Sequence, residues 1–365
     1  VWLPDLVTVS AMTEHRTRVV WSSDLLAYDF GTVHPMSPLR LDLTFRLAEE
    51  LGVLSADGVE VVGAEPAGDE VLTVAHEPEY VAAVRRAAET GRTDKRRGLG
   101  TDDDPLFPGM HEAAARIVDG SVTSALAVWS GEVAHGVNIA GGMHHAMPGR
   151  ASGFCIYNDA VAAIRAVLAA GAERVAYIDL DAHHGDGVEH AFWDDPRVLT
   201  ISVHESGTSL FPGTGDPSDV GGPSARGSAV NLALPAGAGD EAWLWAVESA
   251  LRAARDFEPE LVVSQHGCDA HALDPLTHLC VTVDAQRRAA VGVHDLTHDV
   301  AAGRWLALGG GGYAIAQVVP RAWTHLLGVA AHAPIDPTTA VPDAWRRRVE
   351  LELGFPAPVV MTDIE

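Results

Sequence analysis

An α/β fold built on a parallel sheet is the architecture this 365-residue sequence predicts, and two observations carry it. Apolar runs of strand length alternate with helix-length segments rich in Ala, Leu, Glu and Arg, and Gly and Pro gather just after several of those runs. The strand runs fall at 59–63, 137–140, 174–181, 198–204, 229–234, 261–265 and 305–308. Helix patterns cover 40–51, 78–89, 111–129, 158–169, 240–255 and 285–300, which supplies covering helices between the strands. The Gly and Pro clusters at Gly141-Gly142, 211–215 and 309–312 follow strand ends and form no single linker. One large domain over 1–335 is therefore expected. The stretch 336–365, with Pro342, Pro356 and Pro358, reads as a peripheral C-terminal segment packed on that domain.

Composition narrows the function. A 47% hydrophobic content with 36 Gly and 21 Pro is globular and excludes disordered, collagen-like and coiled-coil chains. With 25 Lys+Arg against 50 Asp+Glu, the net charge is −25. Nucleic acid is excluded as a partner, because phosphate binding needs clustered cations and the one dense basic run is 92–97. The same field favours a cationic substrate such as a lysine-bearing protein. Cys155, Cys268 and Cys280 form no CxxC pair, so a disulfide framework and a cysteine zinc site are not implied, and a reducing cytoplasm is the expected location. No uninterrupted apolar run reaches the ~18 residues a membrane span requires. The first residues include Asp5 and lack a basic-then-apolar leader. Val1 suggests a valine start codon or an over-extended start, with Met12 as the alternative. The oligomeric state is left open.

Polar residues gather where strands end, the place where open α/β sheets carry their sites. In the run 175–187, an apolar strand leads into Asp179, Asp181 and His183, spaced two apart and so on one side if extension persists. A carboxylate and an imidazole so placed bind one divalent cation, whose charge offsets the cost of burying the acid. The strand ending in Ser264-Gln265-His266-Gly267-Cys268-Asp269 brings a third ligand, Asp269, for an Asp2His set with one position open. Three ligands plus water is the catalytic arrangement.

Gly141-Gly142-Met143-His144-His145 sends two adjacent imidazoles out of a glycine turn. One serves as a base while the other tunes it, and Asp179 and Asp186, outside the metal set, are available to orient them. Leu306-Ala307-Leu308 followed by four glycines and Tyr313 lets backbone approach a ligand while presenting a phenol to a developing oxyanion. A phosphate loop is excluded there because GK[ST] is absent. Phe154 and Phe211 each stand near Gly, as the walls of a narrow tunnel or as core residues. Cys155 keeps a cysteine-nucleophile reading open, although that would leave the acids unused.

These motifs together resemble the zinc-dependent histone deacetylase family of the arginase/deacetylase superfamily, and within it the bacterial acetoin-utilisation branch. The resemblance runs in order from about Tyr28 to about Leu327. It includes His34-Pro-Met-Ser-Pro-Leu-Arg40, Gly98-Leu-Gly-Thr-Asp102, Gly153-Phe-Cys-Ile-Tyr-Asn-Asp159 and Phe211-Pro-Gly-Thr-Gly-Asp216. It implies a three-layer α/β/α fold with a mainly parallel, roughly eight-stranded sheet. It further implies that Asp181, His183 and Asp269 hold the zinc, with Fe²⁺ and Co²⁺ suited to the same donors. By the same likeness His144 and His145 are the acid/base pair supported by Asp179 and Asp186, and Tyr313 polarises the acyl carbonyl. Asp102, chosen over Asp103, Gly153, Phe154, Phe211 and Gly311 would contact substrate, and Arg40 would lie near an acetate-release channel. A structural potassium ion would use Asp179, Asp181 and His183 with Ser202 and Val203 nearby. The implied reaction is hydrolysis of acetyl-lysine in proteins, acyl-CoA synthetases among them, by a metal-activated water. Acetylpolyamine hydrolysis is the alternative, with a non-catalytic acyl-lysine-binding module behind it. An arginase-like two-metal site is disfavoured by Gly185 and His271, which stand where acids would be needed.

Overall fold

The structure is a computed structural model and describes residues 16–364; the start readings at Val1 and Met12 lie outside them. Among the described residues eight strands form one sheet: β1 (Thr17–Val20), β2 (Val59–Val62), β3 (His135–Asn138), β4 (Val175–Asp179), β5 (Val198–Glu205), β6 (Ala229–Leu234), β7 (Leu261–Gln265) and β8 (Trp305–Leu308). Their order is β2-β1-β3-β8-β7-β4-β5-β6, and every pairing is parallel. Strands β3, β4, β5, β7 and β8 are buried along their whole length. Helices on both faces demand that, and it is why these strands read as continuous apolar runs.

The helices are α1 (Leu39–Glu50), α2 (Asp69–Leu72), α3 (Pro78–Thr90), α4 (Met110–Ser130), α5 (Asp159–Ala169), α6 (Asp186–Phe192), α7 (Asp240–Phe257), α8 (Val283–Val300), α9 (Val319–Ala330) and α10 (Asp343–Arg347). Local chemistry sets several boundaries. Pro78 stands in the first turn of α3, where a missing N–H costs nothing, and Gly91 ends the helix in a left-handed conformation. Asn158 caps α5 by accepting from the Val161 N–H at 3.0 Å, and Thr282 caps α8 by accepting from Ala285 at 3.2 Å. Among the described residues no helix is long and apolar enough to cross a membrane.

Two expectations shift, and two further elements were not expected. The strand expected over 174–181 stops at Asp179, and the chain then bends, so Asp179, Asp181 and His183 do not continue one extended face. The strand expected over 137–140 begins two residues earlier, at His135. Strand β1 and helix α9 carry no prediction: β1 is four residues with Thr17 and Arg18 interrupting the apolar pattern, and α9 contains Pro320, which its first turn tolerates. The C-terminal stretch lies against α1, where Val341, Trp345, Val349 and Met361 pack on Leu43 and Leu47, and the Trp345 indole donates to the Leu43 carbonyl at 2.9 Å.

Candidate metal centre and active site

Four strands adjacent in the sheet, β3, β8, β7 and β4, deliver the motifs at their C-terminal ends. Their side chains meet at a cavity of about 240 Å³ lined by His144, His145, Asp181, His183, Gly153, Phe154, Phe211, Gly311 and Tyr313. One ligand atom from each of Asp181, His183 and Asp269 lies within 4.8 Å of the others, and all three residues are buried. His183 Nδ1 stands 2.9 Å from Asp269 Oδ2 and 3.2 Å from Asp181 Oδ1. The remaining carboxylate oxygens are held by the protein. Ala182 N–H donates to Asp269 Oδ1 at 2.8 Å, and Gly311 N–H donates to Asp181 Oδ2 at 2.7 Å. Only glycine fits at 311, since a Cβ there would stand 2.2 Å from Asp269 Oδ2.

Burial and the neighbouring Asp181 charge push the Asp269 carboxyl up to about 7. Burial would also raise Asp181, but the His144 and His183 imidazoles outweigh it and hold that carboxyl well below the usual range. Two buried carboxylates facing one imidazole are a donor set that a divalent cation satisfies, because its charge removes their repulsion.

Behind this set, Asp179 and Asp186 each orient one histidine. His144 Nδ1 is 2.8 Å from Asp179 Oδ2, and His145 Nδ1 is 2.7 Å from Asp186 Oδ1. The Tyr177 hydroxyl is 2.7 Å from Asp179 Oδ2 and 2.9 Å from Gln265 Oε1, and Asp181 N–H donates to Asp179 Oδ1 at 3.1 Å, so the orienting acid is itself fixed. The two environments push the imidazoles apart. Burial opposes a charge on His144, yet Asp179 and Asp181 outweigh it and raise the ring to about 9. Burial, reinforced by His144, lowers His145 to about 4.

Tyr313 is anchored through its backbone, whose N–H donates to Asp274 Oδ2 at 2.8 Å, and its ring meets Phe154 edge-on at 5.7 Å. Phe211 packs edge-on against His145 at 5.0 Å and is 43% exposed, which puts it at the cavity mouth. Gly153 lies under these rings, with room for no side chain: a Cβ would come within 2.5 Å of His145 Cδ2. The next residue, Phe154, holds a left-handed backbone at φ 70, a cost of ~1–2 kcal/mol for a non-glycine residue. Arg40 is buried behind the cavity, donating to the Gly310 carbonyl at 2.8 Å with its guanidinium over the Trp323 ring.

The rim departs from the sequence reading. Asp103, and not Asp102, lines the cavity. The Asp103 carbonyl sits 3.1 Å from His34 Nε2, and Asp104 is buried, so the three-acid run is pinned on the far side of Asp102. Ser202 is the register partner of Asp179 across β4 and β5, with Val203 following it, and its hydroxyl is 2.8 Å from His204 Nδ1. Met36, Leu210, Leu276, Tyr177, Gln265 and Asp274 join the site without having been singled out. Tyr177 alone had a usable signal, since it lies two residues before Asp179 on one strand face.

Rival chemistries lose their parts. Cys155 lines the cavity, but burial pushes its thiol well up, which removes the thiolate a cysteine nucleophile needs. Gly185 has no room for an acid, as a Cβ there would stand 2.3 Å from Asp179 Oδ2. His271 is turned to Asp363 at 2.8 Å. The second acidic ligand group of a two-metal centre is therefore missing at both places.

Comparison with known proteins agrees with this geometry. Residues 34–330 match the family described as Histone deacetylase domain. The chain is 41% identical over 333 residues to the acetoin utilization protein AcuC of Bacillus subtilis (strain 168), covering 89% of this chain and 84% of that one. It is 36% identical over 337 residues to the protein of the same name from Staphylococcus xylosus, covering 91% and 86%. A crystal structure described as an HDAC homolog complexed with SAHA superposes with a TM-score of 0.81 at 27% identity, covering 92% of this chain and 88% of that chain.

Proposed function

This chain belongs to the histone deacetylase family, and from that premise we propose that it hydrolyses the acetyl amide of N-ε-acetyl-lysine in proteins to lysine and acetate. The single observation that carries the reading is the convergence of the Asp181, His183 and Asp269 set with two aspartate-tethered histidines and Tyr313 on one cavity. Asp181, His183 and Asp269 would hold a zinc ion, with iron(II) or cobalt(II) suited to the same donors. Such an ion supplies Lewis-acid polarisation of the amide carbonyl and acidifies a water.

The chain's own residues do the rest. With Nδ1 tied to Asp186, neutral His145 offers Nε2 to take the proton of the attacking water. His144, tied to Asp179, delivers a proton to the departing lysine amine from its protonated form. The Tyr313 hydroxyl donates to the oxygen that gains charge as the carbonyl becomes tetrahedral. Phe154, Phe211 and Gly153 enclose the apolar lysine stem and keep water off it, while Asp103 at the rim receives backbone N–H groups of the substrate. Arg40 attracts the acetate product from behind. A structural potassium ion held by oxygens of Asp179, Asp181 and His183, with Ser202 and Val203 beside them, belongs to the same reading and is supported by the register of β4 and β5. The excess of acid over base favours a lysine-bearing protein, acyl-CoA synthetases being one class.

The test is turnover of an acetyl-lysine peptide compared with acetylated spermidine and putrescine, before and after a chelator. Chelator-sensitive release of acetate from the peptide at the higher kcat/KM is the expected result. Preference for the polyamines would transfer the site to small-amine hydrolysis, and no release from either would leave a binding module.

A further inference from the structure

We propose that a second zinc ion binds between His135, His294, His298 and His332, at the end of the sheet opposite the catalytic cavity. His135 opens β3 and pairs with Thr17 and Trp305, which open their own strands, so the cluster lies on the N-terminal edge of the sheet. His294 and His298 stand one turn apart on α8, a spacing that puts both rings on one helix face. His332 follows α9 in a left-handed conformation at φ 53, which a residue with a Cβ adopts only under constraint. One ring nitrogen from each of the four lies within 4.8 Å of the others.

Two observations point to a metal beyond this proximity. His135 is fully buried, and its Nδ1 stands 2.7 Å from the Ala330 carbonyl, so Nδ1 carries the proton and Nε2 keeps its lone pair. That buried Nε2 has no hydrogen-bond partner among the described residues. A histidine whose outer N–H is anchored on a carbonyl while the other nitrogen is bare is set up as a ligand. Secondly, His294 Nε2 and His332 Nδ1 are 3.3 Å apart, close to the roughly 3.3–3.4 Å separating two nitrogens that each bind a tetrahedral zinc at ~2.0–2.1 Å. His294 Nδ1, 3.2 Å from Asp295 Oδ1, is oriented in the same manner.

Four imidazoles with no carboxylate suit a borderline divalent ion and not magnesium or calcium. Zinc accepts four nitrogens without geometric preference, and a set of four leaves no open position, so the site is structural. Exposed His298 provides the way in. The bound ion would tie β3, α8 and the turn after α9 together.

The experiment uses the full chain, stripped of metal, loaded with zinc chloride and dialysed, with zinc per chain read by elemental analysis. Wild type is expected to carry one zinc more than the His294→Ala/His298→Ala variant, with kcat/KM on acetyl-lysine peptide within about twofold in the two. In an Asp269→Ala background, which disables the catalytic set, one zinc should remain and should vanish when His294→Ala and His298→Ala are added. Equal zinc in each pair, whether from no second site or from adventitious surface binding, overturns the proposal and leaves the catalytic reading intact. His294 is half-buried and His298 exposed on α8, so the single His298→Ala variant repeats the reading with the smaller change, and circular dichroism of each variant checks that the fold is kept.

Discussion

At the C-terminal ends of β4 and β7, two carboxylates and one imidazole converge under a cavity of about 240 Å³. At the N-terminal end of β3, four imidazoles converge beside Trp305 without a carboxylate among them. Both clusters are compatible with a divalent ion, and the difference between them separates chemistry from scaffolding. The carboxylate set, with three donors, would leave one position of a bound ion to a ligand, and it is flanked by tethered histidines and a tyrosine. The imidazole site fills its own coordination and is flanked by helix and strand. An ion needs a free position and proton carriers before it does any work on a substrate.

The strongest way to break this contrast is to remove one ligand at each end. Asp269→Ala should lower kcat/KM on acetyl-lysine peptide by about 10³-fold or more, because in the proposed reaction the ion it would help hold supplies several kcal/mol to the transition state. His294→Ala/His298→Ala should leave it within about twofold, and equal losses would erase the distinction. Within the catalytic end, Tyr313→Phe should cost about 10²–10³ in kcat with KM little changed, as expected for one lost oxyanion donor. Near-normal turnover would remove Tyr313 from the chemistry.

A smaller effect sharpens the rim. Asp103→Ala should raise KM on a peptide about tenfold, a loss of ~1.4 kcal/mol fitting one or two hydrogen bonds at an exposed edge, whereas Asp102→Ala should leave KM unchanged. The reverse result would restore Asp102 to the rim.

The last effect, felt as stability and not as turnover, concerns buried neutral imidazoles. At the catalytic end His76 Nε2 accepts from Asn158 N–H at 2.8 Å and Nδ1 faces the Met147 carbonyl at 3.1 Å, and burial lowers the ring to about 4. Burial likewise lowers His135 to about 3 at the other end. Above the unfolded value of 6.5 neither state protonates His76. As pH falls from there towards 4, the unfolded chain takes up a proton the fold refuses, so stability declines by at most ~1.4 kcal/mol per pH unit for this group. Urea unfolding between pH 7.5 and 4.5 should show a shallower decline in His76→Gln than in wild type; identical slopes would discharge His76 from this role.

Much of the sheet was legible because its strands are buried on both faces. Strands β6, β7 and β8 run over the expected residues, and the helix expectations end within two residues of α1, α3, α4, α5, α7 and α8. The short strand β1, paired between β2 and β3, was not, since Thr17 owes its burial to a hydrogen bond to the Ala330 carbonyl 313 residues away. In the candidate site, local spacing marked the acids and histidines at each strand end. It did not mark Asp103 over Asp102, because the packing of His34 against the Asp103 carbonyl and the burial of Asp104 set which exposed acid of the run stands at the cavity. Nor did it mark Asp274, whose place under the Tyr313 N–H depends on where two separate loops meet.

The order of apolar and polar residues along the chain was sufficient to specify a parallel α/β sheet and to put metal-binding and proton-carrying groups at strand ends, because period and side-chain chemistry are local properties. Which groups share an ion was settled by tertiary structure alone. The strand order sets β7 between β8 and β4, which brings Asp269 against Asp181 and His183 across 86 residues of sequence. The same sheet gathers His135, His294, His298 and His332 from three segments; local spacing pairs only His294 with His298 on α8, and long-range packing brings His135 and His332 to them.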